Sequence, residues 1–370
     1  MKVNIDLRYS YNIGGISNFI RKISSCLSEE GENEYCGTSF WYHGRKSIQY
    51  EWFKGEMHYS LFPERIVCNS RIILPFSYET VGNNRFDLNL FLTYRLPKLH
   101  FKKPVITTIH DIILLKSNCE AISMVREHED ILRRSIKTSE HILTVSESSK
   151  NDIMEYFGLS SEKISIVHNG VDLEGLSRAM SISERENARK KYALPDKYIL
   201  NFGAYRKHKN IERLLEAYAL LPKSIRREYK LVLTVSNETL NKMINDLKIE
   251  NDVRITGFVD EEDKKALYQM ADVVYYASLY EGFGVPIIES QACHTPVLTS
   301  NVSSMPEAAG GAALLVDPYS IGDIRDGLLT LISDSNLRKE MIYRGILNAQ
   351  KYTWRKSALE VENVLNKIVL

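Results

Sequence analysis

The sequence predicts an α/β fold made of two Rossmann-like domains, and three observations carry that expectation. Short apolar runs bounded by turn residues recur along the chain, with helical patterns between most of them. The alternation lapses in the polar stretch from Leu173 to Lys197 and then restarts. The chain is 370 residues long, too much for one small core and enough for about two or three domains at roughly 150 residues each.

In the first segment, KVNIDL (Lys2 to Leu7), LNLFLT (Leu88 to Thr93), PVITTIH (Pro104 to His110), HILTVS (His141 to Ser146) and ISIVHN (Ile164 to Asn169) read as strands buried on both faces, as in a parallel sheet. The first crossover helix is GISNFIRKISSCL, where Ile16, Phe19, Ile20, Ile23 and Leu27 fall at helical spacing on one stripe. After the polar stretch come YILNFG, the helix NIERLLEAYALL, then KLVLTV, VRITGF, DVVYYAS and PVLTSN, which predict a second parallel sheet. The closing TWRKSALEVENVLNKIVL is helical in pattern, with Leu359, Val361, Val364, Leu365 and Ile368 apolar. The expected organisation is an N-terminal domain over 1–175, a C-terminal domain over 176–350, and a helix over 351–370 returning towards the first domain. Tandem sheets of this kind are expected to face each other across a cleft, with ligands at the carboxyl ends of the strands.

Composition narrows the function classes. Lysine and arginine number 48 against 47 acids, so no net field favours nucleic acid or an anionic membrane, and nucleic acid is not an expected partner. A local basic cluster stands in YRLPKLHFKK, with Arg95, Lys98, His100, Lys102 and Lys103; it reads as a solvated loop or as a membrane-facing patch. The five cysteines (Cys26, Cys36, Cys68, Cys119, Cys293) are odd in number and form no C-x-x-C pair, which fits reduced thiols in a cytoplasmic protein. Lys2, Asp6 and Arg8 stand where a signal peptide would be apolar, and no apolar run reaches 18 residues.

Candidate site residues follow the strands. Gly14 and Gly15 lie in the turn before the first helix, where backbone N–H groups and the helix dipole favour an anion such as a phosphate. A Gly-Gly ahead of a helix is also plain turn geometry, so the pair alone defines nothing. The second domain opens with NFGAYRKHKN, in which Gly203 precedes Arg206, Lys207, His208 and Lys209; four basic groups in a strand-to-helix loop suit a diphosphate, or form a solvated run. In EGFGVPIIE, Glu281 is expected in the loop after a strand. Glu289 is expected in the first turn of the next helix, which Pro286 begins. Gly282 and Gly284 free the amides between them. Two carboxylates on either side of exposed amides suit a ligand with hydroxyls at both ends and phosphates in the middle, which describes a nucleotide sugar. The alternative for Glu289 is a favourable interaction with the helix N-terminus.

At this point the chain resembles the retaining glycosyltransferases of the GT-B fold, family 4, whose E-x7-E signature is similar to Glu281 through Glu289. The likeness extends over IGGISNFI, TIHD, TVSESSKNDI, VHNGVD, NFGAYRKHKNIERLLEAY, the block from ITGFVDEEDKKALYQMADVVYYASLYEGFGVP to AAGGAALLVDP, and YTWRKSA. It covers the region from Phe40 to Arg85 least. The resemblance implies that Glu281 holds hydroxyls of the donor sugar and Glu289 the ribose, with amides of Phe283, Gly284 and Val285 on sugar or phosphate. It implies that Gly15 gives an amide to the diphosphate, that Lys209 neutralises the leaving phosphates, that the backbone at Val259 touches the base, and that His110 lies beside the donor sugar. Many members read Arg-Lys where this chain has His208-Lys209, and Arg206 is the candidate substitute.

The implied chemistry is a front-side retaining transfer in which the departing phosphate takes the acceptor proton; no D-x-D ligand pattern calls for a metal, and no cofactor beyond the nucleotide-sugar donor is expected. The block TSNVSSMPEAAGGAALLVDP is similar to bacterial enzymes of O-antigen and capsule assembly, which points to GDP-mannose as donor, with UDP- and dTDP-sugars open. The expected acceptor is a lipid-linked oligosaccharide, with peripheral association at the cytoplasmic membrane face. The rival readings are a sugar-nucleotide epimerase, a catalytically silent sugar-nucleotide-binding subunit, and a dinucleotide oxidoreductase, the last disfavoured by the missing G-x-G-x-x-G fingerprint.

Overall fold

A computed structural model describes residues 1–12, 14–41, 50–69, 73–82, 85–116 and 122–368. Cys119 and Ile13 of the IGGISNFI motif lie outside them. The chain forms two compact units, one of Met1–Gly170 with Trp354–Leu370, the other of Val171–Thr353.

The first unit holds a seven-stranded sheet in the order β3-β2-β1-β4-β5-β6-β7. Its strands are β1 (Lys2–Asp6), β2 (Glu34–Trp41), β3 (Glu56–Pro63), β4 (Leu88–Phe91), β5 (Val105–Thr108), β6 (His141–Thr144) and β7 (Ile164–Ile166). Every pairing in it is parallel, and the central strands β1, β4, β5 and β6 are buried almost throughout. β2 and β3 escaped the sequence reading because EYCGTSFW and EMHYSLFP mix polar residues into the run. Gly37 shows how tightly β2 packs: a Cβ there would stand 2.6 Å from Met57 Sδ and 2.7 Å from Leu7 Cδ1.

The first helix, Gly15–Glu30, buries Phe19, Ile20, Ile23 and Leu27 together with Ser17 and Ser24. Ile16, expected on that stripe, is 38% exposed, because the buried arc is completed by the two small serines instead. The C-terminal helix Trp354–Ile368 packs on this first helix. There Glu362, buried among them, accepts from the backbone N–H of Glu32 at 2.5 Å and from the Tyr35 hydroxyl at 3.0 Å. Glu360 on the same helix takes the His168 N–H at 2.8 Å, fixing the last strand-end of the unit.

Next to β1 lies a buried polar knot. Arg8 is wholly buried and donates from Nε to both Asp6 oxygens at 2.8 and 2.9 Å, from Nη1 to Cys68 Sγ at 2.7 Å and from Nη2 to the Arg95 carbonyl at 2.8 Å. The Tyr78 hydroxyl donates to the second Asp6 oxygen at 2.8 Å. This ties the exit of β1, the start of the loop that carries Gly14, to the elements holding residues 68, 78 and 95.

The second unit holds a six-stranded sheet in the order β10-β9-β8-β11-β12-β13, again parallel. Its strands are β8 (Lys197–Asn201), β9 (Tyr229–Leu233), β10 (Val253–Ile255), β11 (Val273–Tyr276), β12 (Val297–Ser300) and β13 (Leu314–Val316). The polar stretch that predicted the junction forms two helices of this unit, Leu173–Ser177 and Ile182–Tyr192, the second opened by a capping box between Ser181 and Glu184. Strand order reverses between β8 and β11, the switch point where a parallel sheet opens its crevice.

Asp6→Ala should lower the unfolding free energy by about 3–5 kcal/mol, because it strands a fully buried guanidinium. The check is the denaturant midpoint of the first unit followed against wild type.

Candidate functional site

The loops leaving β8 and β11 flank the switch point of the second unit. The loop after β8 runs from Phe202 to Asn210 and closes in the turn Lys207–Lys209. Asn210 sits in the left-handed region at φ 60, a conformation asparagine tolerates, and its buried side-chain amide donates to the carbonyls of Ala277 at 3.1 Å and Pro318 at 2.8 Å. The backbone of this loop meets the other through Leu279 N–H to the His208 carbonyl at 2.7 Å. Lys209 is thereby presented to Glu281: Nζ lies 2.7 Å from Glu281 Oε1 and donates to the Tyr276 hydroxyl at 2.6 Å.

This pair is deeply placed. Burial works against the Lys209 ammonium, yet Glu281 and Tyr276 together hold it above the ordinary lysine range. Burial likewise pushes the Glu281 carboxyl up, and Lys209 outweighs it, leaving Glu281 below the ordinary carboxylate range. The pair is therefore ionised, an ammonium and a carboxylate side by side at the mouth of the crevice.

Around Glu281 the loop is pinned by two serines the sequence reading did not single out. Ser304 Oγ donates to the carbonyls of Glu281 at 2.9 Å and Phe283 at 2.8 Å, and Ser303 Oγ donates to Glu281 at 3.0 Å. Phe283 is buried edge-on against Tyr352, with centroids 5.2 Å apart. Gly282 and Gly284 are buried, and Gly284, at φ 111, opens the helix Val285–Ala292. Pro286 is the second residue of that helix, not the first, and Glu289 falls in its second turn, not its first. The correction follows from Gly284, whose positive φ places the helix start at Val285.

Glu289 is 7% exposed and already paired: Lys264 Nζ bonds Oε1, and the Tyr268 hydroxyl donates to Oε2 at 3.2 Å. The Lys264 ammonium also lies 5.6 Å from the centroid of the Phe202 ring. Burial alone would lower Lys264, but Glu289 raises it, so the lysine is charged. Lys264 and Tyr268 stand four apart on one face of the helix Glu261–Met270, a spacing readable in sequence but not linked there to Glu289. Val259 is buried in the cluster with Leu200, Val232 and Leu267. Gly203, at φ 135, gives its N–H to Thr234 Oγ1 at 2.9 Å. Arg206 is exposed and, among the described residues, makes no ion pair.

In the first unit, Gly14 and Gly15 are exposed at the start of their helix, where a Cβ on either would meet nothing within 4 Å. Phe19, one turn on, packs edge-on against His110 with centroids 4.8 Å apart, so the structure brings His110 and the Gly14-Gly15 turn to the same end of the sheet. His110 follows β5, is 8% exposed, and its Nε2 stands 3.2 Å from the Leu92 carbonyl. Burial depresses its pKa to about 4, so the ring is neutral at physiological pH. An Nε2–H donated to Leu92 leaves Nδ1 as the acceptor. Among the described residues, no three His, Cys, Asp or Glu side chains come together to hold a metal ion, and Cys26, Cys36, Cys68 and Cys293 are free thiols.

Two parallel-sheet units of this topology have the GT-B architecture. Residues 13–174 match the model for glycosyltransferase family 4 and residues 184–347 that for glycosyl transferases group 1. O-antigen chain mannosyltransferase B of Escherichia coli is 32% identical over 281 residues, covering 74% of this chain and 72% of that protein. O-antigen chain mannosyltransferase RfbU of Salmonella typhimurium is 31% identical over 242 residues, 60% of this chain and 63% of its own. The serotype-specific mannosyltransferase WbdA of Escherichia coli is longer, and the match, 26% identical over 72% of this chain, spans 34% of it. Among solved structures, sucrose-phosphate synthase from Thermosynechococcus elongatus superposes with a TM-score of 0.77 at 15% identity, over 100% of this chain and 99% of that one. WaaG, a glycosyltransferase involved in lipopolysaccharide biosynthesis, superposes at 0.73 with 16% identity, over 98% and 99%. The chain belongs to glycosyltransferase family 4.

The buried neutral imidazole sets a pH signature. A folded pKa near 4 lies below the unfolded value of about 6.5, so the stability His110 contributes is complete above about 6.5 and is lost as pH falls towards 4. Histidine NMR should show the His110 ring unprotonated at pH 5.5, where an exposed histidine is mostly charged.

Proposed function

We propose that this chain transfers a hexose with retention of configuration, with mannose from GDP-mannose as the donor and a hydroxyl of a growing lipid-linked surface glycan as the acceptor. The observation that carries this reading is the ionised Lys209–Glu281 pair between the two switch-point loops. An ammonium there meets the charge that grows on a departing diphosphate, and a fixed donor of this kind contributes most when that charge develops. Glu281 has acceptor capacity left for sugar hydroxyls, and Glu289, oriented by Lys264 and Tyr268, for the ribose diol. In the first unit the proposal gives the Gly15 amide to the diphosphate and the His110 ring to orienting the reacting centre. In this front-side course the phosphate oxygen that leaves takes the acceptor proton while the acceptor oxygen bonds to the anomeric carbon. The mannosyltransferase names of the Escherichia coli and Salmonella relatives support the donor.

The acceptor assignment draws on a surface of the first unit. Segment 73–77 runs beside Lys98–His100, with Leu74 N–H to Lys98 O at 2.8 Å and His100 N–H to Phe76 O at 3.1 Å. Ile73 and Phe76 are 48% and 44% exposed there, next to exposed His100, Lys102 and Lys103. Apolar side chains rimmed by cations suit an anionic lipid surface. Among the described residues, no helix is long and apolar enough to cross a membrane.

Calorimetric titration with GDP, UDP, dTDP and ADP should give saturable binding for GDP alone, and proton NMR of the product from GDP-α-mannose should show an α-linkage. A β-linked product would refute retention. Lys209→Ala should lower kcat about 10²–10³-fold. If Arg206→Ala leaves turnover unchanged, Arg206 does not stand in for the family arginine. On co-sedimentation, the protein should be recovered with phosphatidylglycerol vesicles more than with phosphatidylcholine, and Lys102→Glu/Lys103→Glu should remove the difference; equal recovery of wild type on both would dismiss the patch.

A further inference from the structure

We propose that Tyr276 is a positioning residue for the transfer, acting through Lys209 and Glu281. The inference rests on the reading above that Lys209 faces the leaving phosphate. Tyr276 is the last residue of β11 and 3% exposed, so it is too deep to serve as a surface contact. Its hydroxyl is 2.6 Å from Lys209 Nζ, which is itself 2.7 Å from Glu281 Oε1 and 4.8 Å from the centroid of the Tyr276 ring.

An ammonium carries three N–H donors. The Tyr276 hydroxyl accepts one, and the ion pair with Glu281 engages the charge on a second side, which leaves donor capacity for a ligand oxygen. Without the phenol oxygen, Glu281 would be the stronger of the anchors left, and the ammonium would settle against the carboxylate that the sugar hydroxyls need. Tyr276 therefore keeps Lys209 and Glu281 paired without letting one consume the other.

A neighbouring side chain repeats this link one residue further on. The side-chain amide of Asn210, next to Lys209, donates to the carbonyl of Ala277, next to Tyr276, at 3.1 Å. The Tyr276 carbonyl accepts from Thr299 Oγ1 on β12 at 2.7 Å. The strand end that carries the phenol is thus fixed from both sides, and the lysine is referred to it by its own side chain and by that of Asn210. A buried phenol without such a partner would leave its hydroxyl unsatisfied.

Tyr276→Phe keeps the ring and removes one oxygen, and its test has three readouts. With GDP-mannose, kcat should fall about ten- to a hundredfold, the value of one hydrogen bond to a charged group, with a smaller change in donor KM and no loss of the cooperative melt by circular dichroism. In the Lys209→Met background the same change should cost less than twofold, because its partner is gone. Acetic anhydride labelling read by mass spectrometry should acetylate Lys209 faster in Tyr276→Phe than in wild type, and this readout needs no donor. An unchanged kcat, or an equal loss in both backgrounds, would overturn the positioning role. Wild type that neither binds nor turns over any sugar nucleotide would overturn the proposed function instead, and unchanged labelling would then remove the Tyr276–Lys209 link as well.

Discussion

The structure of the second unit depends on one electrostatic constraint: an ammonium and a carboxylate held together, largely desolvated, at the point where strand order reverses. Neither charge is tolerable alone at that depth, since burial penalises each. They persist because two loops, one after β8 and one after β11, are stitched to each other by the Leu279–His208 main-chain bond and by the Asn210 side-chain amide on the Ala277 carbonyl. The pair is consequently a product of backbone placement, and Ser303, Ser304 and Asn210 matter to it as much as the charged groups do.

The same logic appears elsewhere in the chain with a different outcome. Asp6, Arg8 and Tyr78 form a buried charged knot at the exit of β1, but every Arg8 donor direction named above ends on the protein itself. Such a closed network orders a loop. The Lys209 site leaves a donor direction and carboxylate lone pairs uncommitted, and that difference separates a structural ion pair from one suited to a ligand. Glu289 lies between these cases, oriented by Lys264 and Tyr268 yet retaining acceptor capacity.

Much of this was legible in the sequence. The apolar runs located most strands because a parallel strand is buried on both faces, and that burial writes itself as a continuous run. The strands β2, β3 and β13 were not legible, being interrupted by polar residues or too short to stand out. The E-x7-E spacing and the basic loop pointed to Glu281, Glu289 and Lys209 because loops after strands at a switch point carry function whatever the exact coordinates. The first-turn placement of Glu289 failed by one residue, since the positive φ of Gly284 moved the helix start to Val285.

By itself, the sequence determined which elements form and which residue types stand at their carboxyl ends, because periodicity and turn chemistry are local. Only the tertiary structure decided partnership. Tyr276 and Lys209 lie 67 residues apart, and Lys264 and Glu289 lie 25 apart. No local pattern couples such pairs; they meet because sheet order brings separate strand ends and helices together, and burial then demands that each charge find its counterpart.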